Sequence, residues 1–332
     1  MKTYAFLLSG EHDTLPKSEA LALLGIFSTR FNELDLLDRC LIIQADHLDI
    51  MSLGSRLAMT HSVIEVLAIC DSSIESLAEA AREMEIPIER YRVRAKRLQR
   101  AILFGVEAER VVGRELLKRG FKADLKNPKL DLKAIITEEK IILGIEISRP
   151  NRGAFEARRP HLKPYFHPGV LMPRMARALV NISQVRYGDW ILDPFSGTAG
   201  ILVEACLVGI KGVGIDVQKM LIRGAKTNLD GLDCSLIIGD AKHLPIASSS
   251  IDSAVLDIPY GKSAIIEAES KEALLNESIA ELFRIIKPGR RIVIVADQSI
   301  EFQAETVGFK IIERHENRVH RSLTRHIIVC HR

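Results

Sequence analysis

Trp190-Ile191-Leu192-Asp193-Pro194-Phe195-Ser196-Gly197-Thr198-Ala199-Gly200 decides how the second half of the chain folds. A short apolar run ends in an aspartate and breaks into a turn holding two glycines, and residues 201–208 then follow a helical pattern. This is a strand, a tight loop and a helix, the order in which open α/β sheets present backbone to a ligand at their carboxyl edge. The turn lacks the lysine of a phosphate-binding Gly-x-x-x-x-Gly-Lys loop, and it is not the strict dinucleotide fingerprint. Ser196 and Thr198 bring hydroxyls that suit either a ligand or the cap of the next helix.

Outward from this turn the same rhythm repeats. Apolar strands are predicted at residues 190–193, 211–216, 235–239, 251–257 and 291–296, with helices at 201–208, 218–229 and 271–286. Such alternation predicts a parallel, doubly wound sheet. Its first four strands end in Asp193, Asp216, Asp240 and Asp257. Taken singly, each is also a plausible helix cap. Taken together, carboxylates at successive strand ends line one crevice. Asp216 stands where an acid takes ribose hydroxyls, Asp240 where one accepts from an adenine amine, and Asp257 opens the turn Asp257-Ile258-Pro259-Tyr260.

The first 150 residues lack this rhythm. Strands are predicted at residues 4–8, 40–45, 62–70 (a buried one) and 91–96, and as a hairpin over 132–137 and 140–147. Helices are predicted at 18–27, at 73–83 with Ser72 or Ser73 as cap, and at 106–119, ended by Gly120. This is an α+β half, divided here into residues 1–55 and 56–149. Residues 150–169, rich in proline and arginine, are predicted to be an extended linker to residues 170–332.

The net charge of +3 hides a partition. Residues 1–89 hold 6 basic and 15 acidic side chains, whereas residues 90–133 hold 14 and 5. The densest piece is Arg90, Arg92, Arg94, Lys96 and Arg97, whose first three members share a strand face; Arg158 and Arg159 lie in a second cluster. A bare row of like charges costs stability unless an anion answers it, so nucleic acid is the expected partner. With 47% apolar residues and 21 Gly in 332, the chain is neither disordered nor collagen-like. Its five scattered cysteines fit no disulfide framework or zinc knuckle. His315, His320, His326 and His331 are not spaced as metal ligands, so no metal is expected. With no signal peptide and no apolar run of about 20 residues, a cytoplasmic protein without a membrane segment is expected.

Asp193–Gly200, Asp216, Asp240 and the Asp257–Tyr260 turn resemble the motifs of class I S-adenosylmethionine-dependent methyltransferases, and the last resembles their Asp/Asn-Pro-Pro-Tyr/Phe motif for exocyclic amines. The segment Arg158-Arg159-Pro160-His161-Leu162-Lys163-Pro164-Tyr165-Phe166-His167-Pro168-Gly169 and the tail His320-Arg321-Ser322-Leu323-Thr324-Arg325 are similar to those of archaeal-type tRNA (guanine-10-N2) methyltransferases. The resemblance implies a Rossmann-like methyltransferase domain behind a ferredoxin-like module and a THUMP region. It implies that S-adenosylmethionine is held by Asp193, Phe195, Gly197, Thr198, Asp216, Val217, Asp240, Ala241 and Asp257. It also implies chemistry at Asp257, Ile258, Pro259 and Tyr260, with tRNA on Arg90, Arg92, Arg94, Lys96, Arg97, Arg158 and Arg159. Ile258 stands where the family has proline, yet the backbone carbonyl that binds the amine is kept. The resemblance implies a monomer that generally acts alone, as archaeal-type members do, with a small zinc-containing activator subunit, used by relatives of eukaryotic type, as the alternative.

Overall fold

Contacts within the chain divide it into two compact units, residues 1–55 with 59–150, and residues 56–58 with 151–332. The computed structural model describes residues 1–259, 268–321 and 323–332.

The first unit is built on one eight-stranded sheet. Its elements are β1 (Lys2–Leu8), α1 (Leu15–Phe27), β2 (Arg30–Leu37), β3 (Cys40–Asp46), α2 (Ile50–Arg56), β4 (Thr60–Asp71), α3 (Ile74–Glu83), β5 (Arg90–Arg97), α4 (Gly105–Lys118), β6 (Lys122–Ala123), β7 (Leu130–Ile136) and β8 (Lys140–Ser148). The strand order is β2-β3-β1-β4-β8-β7-β5-β6. No sheet edge separates residues 1–55 from 56–149, because β1 pairs antiparallel with β4, Phe6 opposite Val63. The Ser73 hydroxyl caps α3 by accepting from the Ser76 N–H. β4 was expected to be buried, but only its first half is; the second half is largely half-exposed. β2 escaped the sequence reading because it is an edge strand whose Asn32, Glu33 and Asp35 face solvent, so no apolar alternation marks it.

The second unit carries α5 (Gly153–Glu156), α6 (Pro173–Ile182), β9 (Trp190–Asp193), α7 (Gly200–Cys206), β10 (Lys211–Asp216), α8 (Lys219–Asn228), β11 (Cys234–Ile238), β12 (Ser253–Asp257), α9 (Ala268–Ile285), β13 (Arg291–Ala296), α10 (Glu301–Thr306), β14 (Lys310–His320) and β15 (Leu323–His331). The strand order is β11-β10-β9-β12-β13-β15-β14, with all pairs parallel up to β13 and β15 antiparallel to it. Strand order turns back between β9 and β12, the place where open α/β sheets bind ligands. The inner strands β9, β10, β12 and β13 are buried nearly throughout, whereas the edge strands β11 and β14 are half-exposed; Leu192, Ile215, Ala254, Leu256 and Ile294 lie in one core with Ile279 and Leu282 of α9.

Residues 151–169 are not an extended linker. They belong to the second unit, with a helical turn at α5 and a 3₁₀ turn at Pro160–Leu162. Buried Glu204 of α7 holds the segment, accepting from Arg158 at 2.7 and 3.0 Å and from Arg177 of α6 at 2.9 Å, and both arginines lie over the Phe155 ring. Further on, the Tyr165 ring lies flat against α8 at Gly224, where a Cβ would meet it at 2.1 Å. Among the described residues no helix is long and apolar enough to cross a membrane.

Candidate active site

Parallel pairing of β10–β9–β12 brings Asp193, Asp216 and Asp257 to one edge of the sheet, with Asp240 just beyond β11. Together with the glycine turn, residues 167–171, residues 239–241 and Leu274, they line a cavity of about 530 Å³.

The turn is held open from within. Gly197 (φ +50°) and Ala199 (φ +63°) adopt left-handed backbone, which sends the chain sharply from β9 into α7. The Gly197 N–H donates to Asp216 Oδ2 at 2.9 Å, and the Gln218 N–H donates to Asp216 Oδ1 at 2.8 Å. Asp216 therefore binds the loop and the start of α8 before any ligand arrives, and each oxygen keeps a second lone pair for hydroxyls. The Lys242 N–H orients Asp240 in the same way, at 2.9 Å. Asn228 joins the far wall to the turn: its Nδ2 donates to Tyr165 O and Thr198 O, and its Oδ1 accepts from the Tyr165 N–H.

Asp193 is almost fully buried; one oxygen accepts from the Phe195 N–H at 3.1 Å. Burial raises its carboxyl well above the ordinary range, and the neighbouring Asp257 and Asp216 charges raise it further. Asp257 is pushed up to about 7, chiefly by burial; Arg325 opposes the shift and Asp297 adds to it. Its Oδ2 lies 3.7 Å from Arg325, while its Oδ1 is buried with no hydrogen-bond partner among the described residues; Ser196 Oγ is in the same condition. A cavity edged by carboxylates fits a ligand that brings cationic groups and hydrogen-bond donors.

The structure thus brings together Asp193, Phe195, Gly197, Thr198, Asp216, Val217, Asp240, Ala241, Asp257, Ile258 and Pro259 around one cavity. Tyr260 lies outside the described residues. Ser196 and Thr198 do not cap α7, whose first turn has no side-chain cap. Sequence reasoning missed Gln218, Leu221 and Leu274 on the wall, ordinary helix residues that only the packing brings there.

The basic strand behaves differently from expectation. Arg90, Arg92 and Arg94 share a face, with Tyr91 and Val93 buried on the other, but the row is not bare. Arg90 pairs with Asp124 at 3.1 Å, Arg92 with Asp131 of β7, and Arg94 lies 3.9 Å from Glu109. The carboxylates that answer the row come from the same unit, so its charge alone no longer calls for an outside anion. Arg97 donates to Ala101 O and lies over Phe104, whereas Lys96 is exposed. Arg158 is committed to Glu204, and Arg159 lies 2.5 Å from Glu156.

Comparison with known proteins agrees with this geometry. Residues 160–327 match the RMKL-like methyltransferase domain family. The chain is 33% identical to the tRNA (guanine(10)-N2)-dimethyltransferase of Methanothermobacter thermautotrophicus, over 98% of each chain. It belongs to that family. It is also 30% identical to the enzyme of the same name from Methanocaldococcus jannaschii, again over 98% of each chain. Among solved structures it is similar to TrmN from Thermus thermophilus, with a TM-score of 0.56 and 20% identity over 99% of each chain, a likeness of fold. This methyltransferase family therefore accounts for both units, not only for the one that holds the cavity.

Proposed function

We propose that this family member transfers methyl groups from S-adenosylmethionine to the exocyclic N2 of guanosine 10 in tRNA, once or twice. The observation that carries the reading is the Asp257 carboxylate on the cavity wall at the tip of β12, next to Ile258, with one oxygen lacking a hydrogen-bond partner among the described residues. The donor, when bound, supplies a methyl group already activated on a sulfonium, so the chain has mainly to align an amine with it. Asp216 and Asp240 would take the donor's ribose and adenine, with the Gly197 turn against its amino-acid part. Asp257 and the Ile258 carbonyl would each accept one amine hydrogen, which frees the nitrogen lone pair from the guanine ring to form the new N–C bond as the C–S bond breaks. The Asp257 carboxylate would then take the proton that the nitrogen loses. Tyr260, outside the described residues, has the position that the family resemblance assigns to stacking on the extruded base. The first unit would dock the tRNA, with residues 56–149 as its THUMP region, through Lys96 and through those arginines able to exchange an internal carboxylate for a phosphate. The test is methyl incorporation into unmodified tRNA followed by nuclease mapping. N2-methylguanosine and its dimethylated form at position 10 are expected; label at another nucleotide, or none, would refute the assignment.

Donor binding should depend on pH. A cation placed beside Asp193 and Asp257 lowers both carboxyls, so binding releases protons wherever they are still protonated in the free protein. With Asp257 at about 7, donor affinity should rise by roughly tenfold from pH 6 to pH 8 and then level off. Calorimetry in buffers of differing ionisation heat reads both the affinity and the proton count. A flat affinity without proton release would show that the donor does not sit beside these groups.

A further inference from the structure

The tail returns to the active site. β15 runs antiparallel to β13 with His326 opposite Ala296, so Arg325 lies one residue past the carboxyl end of β13. β12 runs parallel to β13 with Asp257 opposite Val295, so Arg325 and Asp257 meet at the same edge of the sheet. The Arg325 side chain is only 11% exposed; its Nη2 lies 3.7 Å from Asp257 Oδ2 and 3.5 Å from the carbonyl oxygen of Gly169, which itself lines the cavity. The pair is close enough for charge attraction and leaves Asp257 Oδ1, itself buried, without a hydrogen-bond partner among the described residues, while the residue as a whole lines the cavity. A guanidinium so enclosed, and so directed, is poorly placed to meet a phosphate on the outside of an RNA.

We propose that Arg325 is a positioning residue for methyl transfer: it holds the Asp257 carboxylate ionised and fixed at the cavity edge, and it ties the Gly169 stretch of the cavity wall to the same carboxylate. The proposal rests on the catalytic reading of Asp257 given above.

The charged groups around Asp257 make such a counter-charge necessary. Asp193 approaches from β9 and Asp297 from the end of β13, both negative, while Arg325 comes from β15; Asp216, Asp240 and His167 line the same cavity. Burial and Asp297 both favour the protonated form of Asp257, which cannot accept an amine hydrogen, and Arg325 opposes them. Removing the guanidinium should therefore move the acid limb of the rate profile to higher pH.

The test is the pH dependence of single-turnover methyl transfer, with tRNA and donor saturating, in the wild type, Arg325→Gln, Arg325→Lys and Asp257→Asn. Arg325→Gln is expected to raise the midpoint of the acid limb by about one unit or more, losing about fivefold or more in rate at pH 7 and regaining most of it as pH rises. Arg325→Lys, which restores a charge, should fall between glutamine and the wild type. Arg325→Met keeps the packed stem without the charge and gives the same reading if glutamine leaves the chain unfolded. A loss by the same factor at every pH, or a loss seen only as weaker tRNA binding, would overturn the proposal. If Asp257→Asn retains the wild-type rate, the catalytic reading itself fails. If that variant is inactive while the arginine variants keep the wild-type midpoint, only the role of Arg325 fails.

Discussion

Replacing Asp257 by alanine is expected to lower methyl transfer by about 10²–10⁴-fold while tRNA affinity stays within a few-fold of wild type. The size follows from what the side chain can do at its position. Its carboxylate lines the cavity yet is largely buried, so an amine hydrogen presented there meets an acceptor in a site of low polarity. Alanine removes this acceptor, the destination of the nitrogen's proton, and the negative charge that eases positive charge developing on the amine. Docking of tRNA is assigned to the first unit, so affinity should be spared. Single-turnover rates and filter-binding constants measured side by side separate the two quantities. A variant within tenfold of the wild-type rate would remove Asp257 from the chemistry.

The second large effect is on stability. Glu204→Ala should destabilise the second unit by about 3–5 kcal/mol, because it leaves the enclosed Arg177 guanidinium without its carboxylate and also takes the anchor from Arg158. Arg177 is only 4% exposed, so water cannot take over the lost interaction. In a unit of this size the change corresponds to a melting temperature lower by roughly 10 °C. Donor affinity should weaken as well, since residues 151–169 lead directly into the wall at 167–171. Glu204→Gln, which keeps the shape and one acceptor, should cost less. Thermal melts of the three proteins decide it, and equal melting temperatures would mean that the network contributes nothing.

How much was visible beforehand depends on where each signal sits in the chain. The strand–loop–helix at residues 190–208 and the strand-end aspartates were readable because a parallel sheet turns a local pattern directly into position: each strand places its last residue at the same edge. Arg325 was not readable as an Asp257 partner, since its place depends on β15 running back antiparallel beside β13, a pairing with no local mark in a segment rich in Arg and His. The segment at 151–169 looks like a linker because prolines interrupt regular structure, yet the ionic and ring contacts around Glu204 and Phe155 are enough to fasten irregular backbone. The row Arg90, Arg92 and Arg94 was correctly placed on one face, but its carboxylates lie far along the sequence, at Asp124 and Asp131.

Asn228 has a consequence for turnover. Three hydrogen bonds at one amide clasp the Tyr165 backbone to the Thr198 carbonyl, so the stretch leading into residues 167–171 is tied to the glycine turn of the cavity. A nucleotide receiving two methyl groups needs a fresh donor between them. Whether the spent molecule can be exchanged while the RNA waits, or the RNA must leave and return, then depends on how often this one clasp opens.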